Sequence, residues 1–228
     1  MWNIFFTQFF AKGGYKLLLS GLRVTVEIAI CGLIIGFAIG TLIAFVKVAP
    51  KYRKSLRVLN IICNIYVAYF RGTPIVVQLL IGYFVIAPIL PGTTNAIGVA
   101  ILVFGLNSSA YMSEMIRAGI QSVDKGQLEA GRALGLTYHE AMIKIVLPQS
   151  VKNILPTLGN EFISLIKETS VVSFIAVVDI TKAFKTMADA TYEYIIPYLM
   201  LALVYLILVM IIVFIMSRIE RSLKKNER

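Results

Sequence analysis

Four side chains in one apolar run could recognise a charged ligand: Glu161, Ser164, Lys167 and Glu168, all within residues 154–178. At 1.5 Å per helical residue, Glu161 stands about 10 Å and Lys167 and Glu168 about 20 Å along that run. Glu161, Ser164 and Glu168 share one helical face, with Lys167 on the adjoining flank. A carboxylate at Glu161 or Glu168 suits a cationic group, and Lys167 suits an anionic one. The same residues also suit a Lys–Glu pair or a network at a subunit interface. For Lys167 and Glu168 mutual neutralisation is slightly favoured, because they are adjacent. Gln78, Asn107, Ser108 and Tyr111 add polarity to two other apolar runs. They fit a lined pathway and helix–helix hydrogen bonding equally well. Glu114 is expected to pair with Arg117 at i+3.

The elements that hold these groups are membrane helices. Of 228 residues, 58% are hydrophobic and 15% charged, with a mean hydropathy of +0.83; a soluble domain carries about 25% charged residues. Several apolar runs approach the roughly 20 residues that cross a bilayer as a helix. The alternation of a transmembrane barrel is absent. The expected fold is all-α and polytopic, a single domain over residues 1–228 with about five spans, near 24–46, 74–90, 97–116, 154–178 and 194–216. Gly32, Gly36 and Gly40 form a stripe that lets another helix approach. Pro74 suits the first turn of a helix, and 91–95 is a short uncharged turn. The first ten residues, MWNIFFTQFF, lack the basic start of a signal peptide and suit a short interfacial helix.

The net charge of +10 falls in short blocks between spans, so topology explains it better than nucleic-acid binding does. With the 47–57 block, Arg71, the 117–152 insert and the tail on one side, that side holds 16 Lys and Arg against 5 on the other. The positive-inside rule then places the N-terminus outside and the C-terminus and insert in the cytoplasm. Cys31 and Cys63 lack ligand spacing and suit reduced, structural roles, and the single His139 argues against a metal site.

The insert is a two-helix unit. Asp124 with Gln127 suits a helix start, Gly135 a left-handed helix end, and Thr137 with Glu140 a capping box. The first helix is expected over 125–134. In the second, Tyr138, Ala141, Met142, Ile145 and Val146 share an apolar face, Glu140 pairs with Lys144, and Pro148 ends the pattern. A plain connector needs far fewer residues, so the unit suggests a docking surface.

Glu129-Ala130-Gly131, Gly135 and Ile145-Val146-Leu147-Pro148 match the spacing of the cytoplasmic signature of ABC-importer permeases, with Gly131 where the second Ala stands. YFRGTPIVVQL (69–79), AYMSEMIRAGIQSV (110–123), GQLEAGRALGL (126–136) and LPQSVKNILPTLGNEFISLIKETS (147–170) resemble the polar amino-acid subgroup, and the likeness spans roughly 15–220. The resemblance implies a multi-pass inner-membrane permease in a prokaryote, with no catalysis of its own. It implies two cytoplasmic ATPase subunits that carry ATP and Mg2+, and no cofactor in this chain. A second permease subunit, expected to be identical, and an extracytoplasmic amino-acid-binding protein complete the set. The coupling helix would comprise Glu129, Ala130, Gly131, Arg132, Ala133, Leu134 and Gly135, and the substrate pathway Glu161, Ser164, Lys167, Glu168, Asn107 and Gln78. Two intramembrane acids against one base tilt the substrate toward basic amino acids, with glutamine or another neutral one as the alternative. An ion-gradient transporter would call for internal repeats and no docking loop, and a channel or membrane enzyme for a filter or catalytic constellation that the sequence does not contain.

Overall fold

The protein's structure, a computed structural model, describes residues 2–49, 54–90 and 95–225, with side chains to residue 222. Most of the 91–95 turn, Pro50 and its basic neighbours, and the end of the tail lie outside these residues. All regular structure described is helical.

Helix α1 (Trp2–Phe6) continues as a π-helical turn, Thr7–Ala11. Phe5 and Phe9 pack against Ile180, Phe184, Met187 and Ile196. Trp2, Phe6 and Phe10, four residues apart, form an exposed stack with centroids 6.0 Å apart at each step. Gly13, at φ +78, turns the chain into α2 (Gly14–Val48), which begins ten residues before the expected span.

Helix α5 (Ala96–Gln121) lies along α2 in the same direction. The glycine stripe is the reason. A Cβ at Gly36 would stand 2.7 Å from Ser108 Oγ, and one at Gly40 would stand 2.6 Å from Met112 Cβ. The two backbones therefore meet where only hydrogen fits. Near the end that carries the insert, the Lys47 ammonium donates to Glu114, which also accepts from Arg117 Nη2 at 2.7 Å. The expected i+3 pair thus exists, with a third partner 67 residues away. The Lys47 side chain is only 7% exposed. Hydrogen bonds to charged groups contribute about 1.5–3 kcal/mol. Because Arg117 still neutralises Glu114, Lys47→Met should destabilise the protein by roughly 1–2 kcal/mol. Thermal unfolding in detergent measures this, and Glu114→Gln in the Lys47→Met background should add a further loss, because it removes the remaining Arg117 ion pair.

Between these two helices the chain folds α3 (Lys54–Gly72) and α4 (Ile75–Ile81), the latter extended by turns at Gly82–Ile86 and Ala87–Ile89. Arg71 to Pro74 is a break at which the path bends by 106°. Pro74 is the residue before the new helix rather than its first, with extended backbone (φ −64, ψ 139).

The insert forms α6 (Lys125–Ala133) and α7 (Tyr138–Ala141), with a π-helical turn at Met142–Val146 leading into α8 (Leu147–Glu168). Pro148 does not end the helical path. It falls in the first turn of α8, where a missing N–H is no loss. The expected span 154–178 is also corrected. Helix α8 stops at Glu168, tightens into a 3-10 segment, Thr169–Ile175, and ends at Ala176 with φ 60. Asp179, fully buried, then caps α9 (Ile180–Asp189) by accepting from Thr181 N at 3.0 Å and Lys182 N at 2.8 Å.

Helix α10 (Ile195–Lys225) completes the bundle. Among the described residues three helices are long and apolar enough to cross a membrane: Gly14–Val48, Ala96–Gln121 and Ile195–Ser222. The bent pair Lys54–Gly72 and Ile75–Ile89 makes four if counted as one span. Helix α8 is too polar to join them. It runs antiparallel to α5, with Ile154 on Gly119 and Glu161 on Ser108.

Candidate functional site

Glu161 lies near the middle of the bundle, 8% exposed, and accepts a hydrogen bond from Ser108 Oγ at 2.8 Å. Ser108 is fixed by the close α2–α5 contact at Gly36. The carboxylate therefore has one protein donor and further acceptor capacity. Ser164, one turn along α8, is half-buried, and Lys167 and Glu168 are exposed. No ion pair within 4 Å joins Lys167 to Glu168 among the described residues. Adjacent positions on a helix point about 100° apart and do not face each other.

Gln78 and Asn107 form a second, separate network. Asn107 Nδ2 donates to Gln78 Oε1 at 2.9 Å and to the Phe70 carbonyl at 3.2 Å. Gln78 Nε2 lies 2.9 Å from the Phe70 carbonyl, 3.0 Å from the Thr73 carbonyl and 2.8 Å from Thr73 Oγ1. The Phe70 and Thr73 carbonyls are acceptors that the break leaves without helical partners, and inside a bilayer little else would satisfy them. Of the two readings open in the sequence, hydrogen bonding between elements is the one these amides carry out. Their polar atoms face the break, and Asn107 is the residue next to Ser108, the donor to Glu161.

The sequence count misplaced Arg71. It was grouped with the charges at the insert end, yet the neighbouring Phe70 carbonyl meets Asn107, about 16 Å from one end of α5 and about 21 Å from the other at 1.5 Å per residue. Arg71 therefore sits at mid-depth, exposed, its guanidinium carbon 5.4 Å from the centre of the Tyr111 ring. The signal was its position in the middle of 54–89, which is helical on both sides of the break.

The insert follows its local rules. Asp124 caps α6, accepting from Gly126 N at 2.6 Å rather than from Gln127. At the other end Gly135 N donates to Arg132 O at 3.0 Å and Leu136 N to Gly131 O at 3.2 Å, with Gly135 at φ +88. That pair of bonds is a Schellman closure, which needs a left-handed residue. Leu134 is the C-cap, so the helix proper ends at Ala133. Thr137 and Glu140 form the capping box: Glu140 N donates to Thr137 Oγ1 at 3.3 Å, and Thr137 N donates to Glu140 Oε2 at 2.9 Å. Lys144 lies 3.7 Å from Glu140. Hydrogen bonds from Thr137, then Lys144, hold the Glu140 carboxyl below the usual carboxylate range. The cap's contribution is present above the ordinary carboxylate pKa and is lost as pH falls through the lowered one.

The faces of α6 divide cleanly. Gly131 is buried, and a Cβ there would stand 2.6 Å from Ile145 Cδ1 and 3.4 Å from Ala141 Cβ. Glycine at this position lets α6 seat on the turn after α7. Glu129, Ala130, Arg132, Ala133, Leu134 and Gly135 are exposed, Leu134 at 85%. Leu134 thus stands at the tip of a doubly capped unit, its side chain open to the surroundings.

Residues 32–225 match a protein family described as the inner membrane component of binding-protein-dependent transport systems. The chain is 39% identical to the arginine transport system permease protein ArtQ of Bacillus subtilis (strain 168) over 210 residues, which cover 92% of this chain and 94% of that one. It is 40% identical to the putative glutamine transport system permease protein GlnP of Rickettsia typhi over 209 residues, again 92% and 94%. Among solved structures, a chain of an amino acid ABC transporter crystallised with histidines superimposes with a TM-score of 0.83 at 36% identity, over 91% of this chain and 94% of that one.

Proposed function

Because this chain belongs to the family of inner membrane components of binding-protein-dependent transport systems, we propose that it is the permease subunit of an ATP-driven importer of polar amino acids, basic ones first. The whole chain acts as one membrane domain. The end of the bundle that carries the 117–152 insert faces the cytoplasm, a reading the Lys and Arg distribution supports. The exposed side of α6 and Leu134 seats in an ATPase subunit, which binds ATP and Mg2+. Two ATPases act on two permease copies, and an extracytoplasmic binding protein delivers the substrate. Closure of the ATPases pushes α6. Gly131 against Ile145, and the core of Ile120, Val123, Val146 and Ile154 beneath, carry that push into α5 and α8. Family membership leaves no place for an ion-gradient mechanism.

The observation that carries the substrate class is the Glu161 carboxylate, held at mid-depth by a single serine and followed one turn on by Ser164. A buried carboxyl group with spare acceptor capacity suits an ammonium or guanidinium. The relatives named for arginine and for glutamine transport, at nearly equal identity, keep a neutral side chain as the second reading.

The test is uptake into vesicles that contain the reconstituted permease, ATPase and binding protein. ATP-dependent uptake of labelled L-arginine should be competed by lysine and histidine at least tenfold better than by glutamine. Glutamine as the stronger competitor would establish the neutral reading instead.

A further inference from the structure

We infer that Arg71 is the carboxylate-recognising residue of the pathway: its guanidinium, poised over Tyr111 at the break between α3 and α4, takes the α-carboxylate of the amino acid whose cationic end faces Glu161. The inference rests on the permease reading above and adds to it a second, oppositely charged half of the site.

Three observations place the charge. Arg71 is exposed in the isolated chain at mid-depth, where facing lipid is unfavourable, so it must face water or protein. Its neighbour Gly72 is exposed, with nothing within 4 Å of where a Cβ would stand, so the chain leaves the backbone at the break open to a ligand. Tyr111, under the guanidinium, lies three residues from Ser108, the donor to Glu161. Positions three apart on a helix are neighbours. Cation and anion therefore flank a single turn of α5.

The chemistry fits a zwitterion. A guanidinium offers a planar fork of donors that matches a carboxylate in two parallel bonds, and stacking on an aromatic ring fixes the plane of that fork. Lysine would bring the charge without the geometry. The break is stiff rather than loose, because Gln78 and Asn107 hold the Phe70 and Thr73 backbone on either side of Arg71. A cation on a braced corner keeps its position as ligands come and go.

The test measures binding to the purified permease–ATPase complex without the binding protein, so that delivery does not mask selectivity. Two pairs of ligands are titrated: L-arginine with agmatine, and L-glutamine with 4-aminobutanamide, the second member of each lacking the carboxylate. The unaltered complex should prefer the amino acid by at least tenfold in the pair whose side chain it accepts. Arg71→Met should cut that preference to within twofold, and Arg71→Lys should retain part of it. Tyr111→Leu should weaken amino acid binding several-fold with the preference still present. Glu161→Gln should weaken both members of the arginine pair and leave their ratio unchanged. A preference that survives Arg71→Met, or none in the unaltered complex for either pair, would overturn the assignment. Unchanged affinity in Glu161→Gln, with the ratio lost in Arg71→Met, would sink the Glu161 reading and leave that of Arg71 standing.

Discussion

Gly135→Val should lower ATP-dependent uptake at least tenfold while the ATPase subunits keep their basal turnover. The cause is conformational alone. Nothing lies within 4 Å of where a Cβ at Gly135 would stand, so no side chain clashes with a neighbour. The backbone is at φ +88, and the closing bonds from Gly135 N and Leu136 N depend on it. A left-handed residue costs an ordinary side chain roughly 1–2 kcal/mol, and a β-branched one suffers most. That is enough to open the Schellman closure and swing Leu134 out of register with whatever it docks on. Asparagine tolerates the left-handed region, so Gly135→Asn should keep most of the uptake. If valine and asparagine variants both transport normally, the turn does not set the coupling geometry.

Glu161→Gln should lower arginine uptake at least tenfold and glutamine uptake no more than about threefold, on the scale where 1.4 kcal/mol is a factor of ten. The substitution keeps the volume, and the amide oxygen still accepts from Ser108, so the fold is spared. Only the charge goes, and a charge-assisted hydrogen bond contributes about 1.5–3 kcal/mol. Glu161→Ala is harsher, since it also leaves the Ser108 hydroxyl buried without its acceptor. Equal losses for a charged and a neutral substrate in Glu161→Gln would show that the carboxylate serves the bundle rather than the passenger.

What the sequence disclosed and what it withheld divide by range. The caps at Asp124 and Thr137, the turn at Gly135 and the glycine stripe on α2 were legible, because each depends on residues within one or two turns. The identity of α6 as a two-faced helix followed from the same local rules. Lys47 meeting Glu114 was not legible, since no local pattern links residues 67 apart. Nor was the depth of Arg71. A window that counts charges sees a cation near a proline and assigns it to a loop, while the chain uses the break to carry that cation inward. The error over 154–178 is of the same kind. Hydropathy averaged across the Glu168–Thr169 boundary joined a helix to a tight 3-10 segment that turns away from it. The role of Gln78 and Asn107 stayed open because an amide in a span looks the same whether it serves a ligand or a broken helix. The carbonyls of Phe70 and Thr73 supply the partners that the sequence could not name.

The polarity of α8 bears on how the molecule is made. Helix α10 is apolar along most of its length and could leave the insertion machinery for the bilayer on its own. Helix α8 could not so readily, because a charged group away from the helix ends costs about 2.5–3.5 kcal/mol on insertion scales when it meets lipid alone, and Glu161 sits there. Its counterparts are already synthesised by then: Ser108 and Gly119 on α5 precede it in the chain. The polar face of α8 is covered only where α2 and α5 have already met, so a defect in the glycine stripe should lower the amount of folded permease before it slows transport.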